Sequence, residues 1–102
     1  MKLYISGPIT GMDDGNQAAF ATAERVLRDA GFETFNPHAL RLPLAVDWHI
    51  AMRQCLRELM QCEAVALLEG WTRSEGAQME EWAAKAVRME CRPVGEWLLP
   101  AE

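Results

Sequence analysis

The sequence predicts an α/β fold of the flavodoxin or Rossmann-like kind, a three-layer sandwich with a four- to five-stranded, mainly parallel sheet between helices. Short apolar runs alternate along the chain with amphipathic helical stretches, and the connections between them are short. Alternation of this kind implies right-handed crossovers and a parallel sheet. The run at residues 64–68 contains no polar residue, which is typical of a strand covered on both faces.

The first half of the chain contains two predicted strands around one helix. Residues 2–6 form a short apolar run that stops at a Gly-Pro pair, the pattern of a buried strand that enters a loop. A helical apolar period covers residues 17–30, with Asn16 as its N-cap and Gly31 as the residue that ends it. Residues 32–35 alternate briefly before an Asn-Pro pair, as a short second strand would.

The second half repeats this alternation after an irregular loop at residues 38–46. Asp47 and Ser74 are natural N-caps for its two helices. The predicted elements are a helix at residues 48–61, a strand at 64–68, a helix at 75–89, a strand at 92–94, and a segment at 96–99 that is either a fifth strand or a docked tail.

Composition restricts the class of protein. The chain has 102 residues, with 15 acidic and 10 basic side chains and a net charge of −5, so we expect one domain over residues 1–102 and no extended nucleic-acid partner. No stretch reaches the roughly 18 to 20 apolar residues that cross a bilayer, and the first apolar run is too short for a signal peptide. We therefore expect a cytoplasmic protein without a membrane partner.

The cysteines predict reduced thiols rather than a disulfide or a metal site. Cys55 and Cys62 would lie about two turns apart on one helix, roughly 10 Å, which is beyond the reach of a disulfide. No Cys-x-x-Cys or His-x-x-x-His pair occurs, and His38 and His49 have no thiol beside them. The spacing therefore gives no support for a metal site.

Ligands of parallel α/β sheets bind at the carboxyl ends of the strands, and three loops of this chain share that edge. The first loop carries glycines at Gly7 and Gly11 between a strand and a helix, where backbone N–H groups can hold an anion. Its spacing differs from the dinucleotide fingerprint, because these glycines are four apart and the helix begins several residues later. The alternative is a loop that only turns tightly.

Glu80 is the unusual residue of the third helix. It shares a predicted stripe with Ala83, Ala84 and Val87, the small-residue side that should pack on the sheet, whereas Glu81 precedes Lys85 by four residues and can form a surface ion pair. Burial of a carboxylate with no cation at helical spacing costs free energy, which indicates a specific role for the residue. Nucleophilic attack on an anomeric carbon is one such role. A hydrogen bond to the loops is the alternative.

Tryptophans offer a further set of candidates. Trp48 and Trp71 could stack on a nucleobase or pack in the core, whereas Trp82 and Trp97 are interpreted as packing or subunit contacts.

At these residues the chain resembles a known group of proteins. The resemblance is carried by the opening Tyr4-Ile5-Ser6-Gly7-Pro8-Ile9-Thr10-Gly11, by Asn16 and Phe20, by Asn36-Pro37, by Trp48 and Met52-Arg53, and by Gly70-Trp71 with Ser74-x-Gly76-Ala77-x-x-Glu80. Together these residues resemble a domain-of-unknown-function family that is common in phages and prophages. That family is similar in turn to the nucleoside 2-deoxyribosyltransferases and the 2′-deoxynucleoside 5′-phosphate N-hydrolases. The match covers nearly the whole chain, so it implies a single domain of this type over residues 1–102.

The resemblance implies an activity and its residues. Glu80 would be the nucleophile on C1′ of a 2-deoxyribosyl group, Tyr4 would assist with its hydroxyl, and Ser74 would contact the sugar or a 5′-phosphate. The substrate-binding residues implied are Ser6, Gly7, Pro8, Ile9, Gly11, Asn36, Gly70, Trp71, Ser74 and Gly76. The resemblance implies a small-molecule nucleoside or nucleotide as partner, a homo-oligomer, and neither an organic cofactor nor a metal.

One departure from the resembled families affects catalysis. An aspartate that helps to protonate the departing base is replaced by Cys55, and an aspartate at the start of the third strand is replaced by Glu63. A neutral thiol is a poor substitute for a carboxylic acid. Glu58, or Asp47 and His49, are alternatives for the acid. Two other readings stay open, a non-catalytic module that binds or senses nucleotide derivatives and a phage assembly protein.

Overall fold

The computed structural model describes residues 1–43 and 45–100, and these form a parallel sheet flanked by helices. The elements in chain order are β1 (Lys2–Ser6), α1 (Gln17–Asp29), β2 (Glu33–Phe35), α2 (Trp48–Leu59), β3 (Ala64–Leu67), α3 (Glu75–Ala86), β4 (Glu90–Pro93) and α4 (Val94–Trp97). Short 3-10 turns lie at Asp13–Asn16, Pro37–Leu40 and Trp71–Arg73. The predicted loop at residues 38–46 includes Leu44, which lies outside the described residues.

The sheet has four strands in the order β2-β1-β3-β4, and all of its pairs are parallel. From β1 the chain goes to β2 on one side of the sheet, and then returns to place β3 on the other side of β1. The direction of strand order therefore switches between β1 and β3, and the carboxyl ends of these two strands border the crevice in which such sheets bind ligands. The predicted α/β class with a four-stranded parallel sheet is confirmed.

Two apolar cores, one on each face of the sheet, account for the three layers. Side chains of successive strand residues point to opposite faces. Leu3 and Ile5 accordingly pack with α1, whereas Tyr4 packs with α2 and α3. All four residues of β3 are buried, as its unbroken apolar run predicted.

Four helix boundaries were predicted from capping residues. Asp47 accepts a hydrogen bond from the His49 N–H at 2.8 Å, and Ser74 caps α3, as predicted. Gly31 has φ of +100° and ends α1, as predicted. Asn16 stands at the N-cap position of α1, as predicted, but its side chain makes no cap hydrogen bond, because the residue has φ of +63° and its amide donates to the Pro8 carbonyl at 3.1 Å.

The end of the chain differs from the prediction. α3 ends at Ala86, three residues early, and the last strand begins at Glu90. The segment at residues 96–99 forms no fifth strand. Instead, Trp97 is the last residue of the short helix α4. It donates its indole N–H to the Val65 carbonyl at 2.9 Å and packs on Phe32. Among the described residues, no helix is both long and apolar enough to span a bilayer.

Candidate active site

Glu80 is buried on the face of α3 that packs against the sheet. The helix begins at Ser74, whose hydroxyl oxygen accepts the Ala77 N–H at 3.2 Å, and its buried positions are Ala77, Glu80 and Ala84. This spacing forms one face of a helix, so the carboxylate points inward and only 5% of the residue is exposed. Val87, predicted to share the stripe, is 53% exposed because the helix ends before it.

Two hydroxyl groups of β1 hold the Glu80 carboxylate. Tyr4 donates its phenolic proton to Oε2 at 2.5 Å, and Ser6 donates its hydroxyl proton to Oε1 at 2.7 Å. Both side chains are fully buried. They reach the same carboxylate because alternate residues of a strand share one face. Each oxygen of Glu80 therefore has its own neutral donor.

Burial decides the protonation of this group. Loss of solvent raises the pKa of Glu80 from its ordinary 4.5 to about 7, although the hydrogen bonds from Tyr4 and Ser6 act in the opposite direction. Burial, and then the negative charge of Glu80, raise the pKa of Tyr4 well above its ordinary value. The carboxyl therefore keeps its proton to a higher pH than an ordinary glutamate, while the phenol keeps its proton as a donor.

Cys55 lies beside this pair on α2 and is 8% exposed. Burial, and next the charge of Glu80, raise the pKa of its thiol to about 11. The thiol is therefore neutral at pH 7 and is a weak acid in the position where the resemblance implies an aspartate.

Of the three alternative acids, Glu58 is half-buried on α2, within one turn of Cys55. Asp47 and His49 bond to each other at the exposed start of α2. Glu63 accepts the Lys2 N–H at 3.1 Å, at the amino end of β1, which is the opposite edge of the sheet. Glu81 pairs with Lys85 at 2.6 Å, as predicted; the Lys85 side chain is exposed, whereas only 15% of the Glu81 side chain is.

The first and third loops meet above the hydroxyl pair. A Cβ on Gly7 would lie 2.7 Å from the Cβ of Leu68, and the Leu68 N–H donates to the Ser6 carbonyl at 2.8 Å. Gly70, with φ of +88°, lies against Pro8. The structure therefore brings Ser6, Gly7, Pro8 and Gly70 together at the carboxyl ends of β1 and β3, close to Glu80.

The other predicted binding residues have identifiable local contacts. Ile9 packs against the core on the α1 side, and Gly11 lies in the exposed part of its loop. The Asn36 side-chain oxygen accepts the His38 N–H at 3.0 Å and so caps the following turn. A Cβ on Gly76 would lie 3.3 Å from the Met52 sulfur, so this glycine allows α2 and α3 to approach closely.

Three of the four tryptophans border a groove along α3. This groove of about 640 Å³ is lined by Trp48, Trp71, Glu75, Gln78, Met79, Glu81 and Trp82. At 100° per residue, the α3 members of this set centre on the face opposite Glu80. Trp82 is 67% exposed there. Trp71 also packs against the core that contains Tyr4, and the Trp48 indole nitrogen lies 4.0 Å from a Cβ built on Gly76, one helical turn before Glu80. Stacking of either ring on a base stays a prediction.

The Ser6 hydroxyl donates to Glu80, a contact that the sequence analysis does not predict. The predicted contact of Ser6 with substrate stays a prediction. The signal in the sequence was the Tyr-x-Ser spacing, which puts two hydroxyls on one face of a buried strand.

Comparison with known proteins agrees with this architecture. A 2-deoxyribosyltransferase from the psychrotolerant bacterium Bacillus psychrosaccharolyticus has a solved structure that superposes with a TM-score of 0.69 and 18% sequence identity, over 89% of this chain and 69% of that one. At this identity the likeness shows the fold. None of the curated proteins compared with the chain matches it. The phage or prophage origin that the resemblance implies stays a prediction. Residues 1–92 match the family described as a domain of unknown function, DUF4406, and the chain belongs to that family.

Proposed function

We propose that this protein cleaves or transfers the N-glycosidic bond of a 2′-deoxynucleoside or its 5′-monophosphate, with Glu80 as the nucleophile. The observation that carries the proposal is the buried Glu80 carboxylate, held by two neutral hydroxyls beside the switch in strand order. A carboxylate paired with a cation would be a weaker nucleophile. The shared fold with a solved 2-deoxyribosyltransferase supports the choice of substrate class.

The proposed reaction has two steps in the manner of a retaining glycosidase. A carboxylate oxygen of Glu80 forms a bond to C1′ while the bond from C1′ to the base nitrogen breaks, and its electron pair leaves with the base. The base takes up a proton from water at the rim. In the second step water or an acceptor base attacks C1′, loses a proton, and releases Glu80 as a carboxylate. Water gives hydrolysis, and a base gives transfer.

Tyr4 has a defined part in this proposal. Its raised pKa keeps the phenol protonated, so it can donate to Oε2 in the resting enzyme and continue to donate to the carboxyl group of the glycosyl ester. The loops that contain Gly7, Pro8 and Gly70 would border the sugar. The start of α3 at Ser74 would lie near its 5′ end.

A second candidate function is binding without turnover. The observation that favours it is Cys55, a buried thiol with a pKa of about 11 at the position where the resembled enzymes have an acid. Such a protein would keep the pocket for a nucleotide derivative and would fail to protonate the departing base.

Release of free base tests the proposed reaction. The purified protein is incubated with deoxyribonucleosides and their 5′-monophosphates, with and without an acceptor base, and products are separated by chromatography. We expect release that is lost in Glu80→Gln and kept in the matched control Glu81→Gln, which changes a glutamate of the surface ion pair. If no compound of the panel releases a base but some of them stabilise the protein thermally, the binding function is favoured. If neither base release nor thermal stabilisation is observed, an assembly role is favoured.

We also propose that the groove of α3 is a contact between two copies of this chain. Its Met79 and Trp82 are exposed apolar side chains. The groove carries the exposed Glu75, and the exposed side of the adjoining α2 carries Arg53 and Arg57. A twofold axis can place these opposite charges against each other. Light scattering should give a dimer or larger mass that Trp82→Glu reduces to a monomer, and a wild-type monomer would contradict the contact.

A further inference from the structure

Ser6 is a rigid donor at the end of the central strand. Its backbone is paired with β3 through Leu67, and its carbonyl accepts the Leu68 N–H at 2.8 Å. Its side chain is fully buried, and its hydroxyl oxygen lies 2.7 Å from Oε1 of Glu80. A serine has one hydroxyl proton to donate. That proton is already directed at the carboxylate, away from solvent.

The two donors act on different oxygens of Glu80. With Tyr4 alone, the carboxylate could turn about the bond that joins it to the side chain, because only Oε2 would be held. The bond from Ser6 to Oε1 removes that freedom. Since both donors are carried by one strand, two residues apart, their separation is fixed by the backbone of β1.

The hydrogen bond from Ser6 also stabilises the negative charge of the Glu80 carboxylate. The titratable groups that face Glu80 are Tyr4 from β1 and Cys55 from α2, and both are neutral acids at pH 7. Neutral hydroxyl donors are therefore what offsets the loss of solvent around the carboxylate. Removing one of the two leaves an oxygen buried without a partner.

We propose that Ser6 is a positioning residue for Glu80, which fixes the plane of the carboxylate and stabilises its negative charge rather than contacting the substrate. The part of this inference that concerns turnover rests on the proposed function. In the first step the carboxylate loses its charge as its oxygen bonds to C1′, and in the second step it leaves as a carboxylate again. The Ser6 hydroxyl would assist that second step because it is placed to donate to the released group.

A measurement that needs no turnover tests the positioning directly. Glutamate carboxyls are labelled with ¹³C, and Glu80 is titrated by NMR in the wild type, Ser6→Ala and Ser6→Cys. We expect the pKa of Glu80 to rise by about one unit in Ser6→Ala, and by less in Ser6→Cys because a thiol is a weaker donor. The matched control is Thr34→Val, which removes a buried hydroxyl of β2 that accepts from Arg28. An unchanged pKa in Ser6→Ala would overturn the inference.

Kinetics separate positioning from substrate contact. Ser6→Ala should lower kcat by about tenfold at neutral pH with little change in KM, and should move the acidic limb of the rate profile to higher pH. A raised KM with an unmoved limb would instead make Ser6 a substrate contact. If the wild type has no turnover, the proposed function fails, and the NMR titration still decides the role of Ser6. Circular dichroism melting shows that each variant is folded.

Discussion

Replacing Glu80 by glutamine should change how the stability of the protein depends on pH. In the folded chain burial raises the pKa of Glu80 to about 7, whereas the unfolded chain has the ordinary value of 4.5. A carboxyl that holds its proton more tightly when folded contributes stability below pH 4.5, and that contribution is lost as the pH rises through 7. The difference corresponds to about 3 kcal/mol of unfolding free energy between the two limits.

Glutamine at position 80 removes this pH-dependent contribution to the unfolding free energy, and it also removes a hydrogen bond. It cannot ionise, but its amide nitrogen cannot accept from Tyr4 or Ser6, and one hydroxyl therefore loses its partner, which costs about 1 to 2 kcal/mol. The variant should be less stable than the wild type below pH 4.5 by that amount. Above pH 7.5 it should be more stable by about 1 to 2 kcal/mol. The two stability curves should therefore cross.

Urea unfolding at pH values from 4 to 8.5 measures both curves. Glu81→Gln is the matched control, since it makes the same chemical change one residue away, where the carboxylate forms a surface pair with Lys85. Loss of such a pair changes stability little. A difference between Glu80→Gln and wild type that stays constant across this range would refute the reasoning, because it would mean that Glu80 does not titrate there.

Three further perturbations test the packing around the site. Gly7→Ala should lower the unfolding free energy by about 1 to 3 kcal/mol, because the new Cβ would lie 2.7 Å from that of Leu68. Thermal melting measures this, with Gly95→Ala as the control because the space around Gly95 is open. Equal melting temperatures for the two variants would contradict the prediction. Gly31→Ala should cost about 1 kcal/mol because its φ is +100°, measured by urea unfolding. Cys55 should react with a soluble thiol reagent only as the protein unfolds, because it is buried and its pKa is about 11; mass spectrometry that finds it labelled at once in the native protein would contradict its placement.

Elements with a strong period could be predicted from the sequence, and those that depend on tertiary contacts could not. β3 is apolar throughout because it is covered on both faces. β4 is at the edge of the sheet and contains Glu90 and Arg92, so its polar residues moved the predicted start by two positions. α4 has four residues, too few for a helical period. The cap hydrogen bond at Asn16 is absent because its amide bonds to Pro8, a contact that only the folded loop creates.

In the candidate site, too, features that depend on one element could be predicted, and contacts between distant elements could not. Helical spacing predicted that Glu80 faces the sheet and that Glu81 pairs with Lys85, because both statements depend on one helix. The spacing within β1 puts the hydroxyls of Tyr4 and Ser6 on one face, but it does not show which residue they contact. Ser6 and Glu80 are 74 residues apart, and their contact depends on α3 packing over the face of β1 that carries Tyr4 and Ser6.

The central position of β1 separates what must stay rigid from what can vary. Strands that are hydrogen-bonded on both sides are among the last segments to open in native-state hydrogen exchange, whereas loops open at little cost. β1 is flanked by β2 and β3, and it carries both hydroxyls that hold Glu80. The loops at the rim could therefore be exchanged, by evolution or by engineering, to admit a different ligand while the carboxylate and its donors keep their geometry.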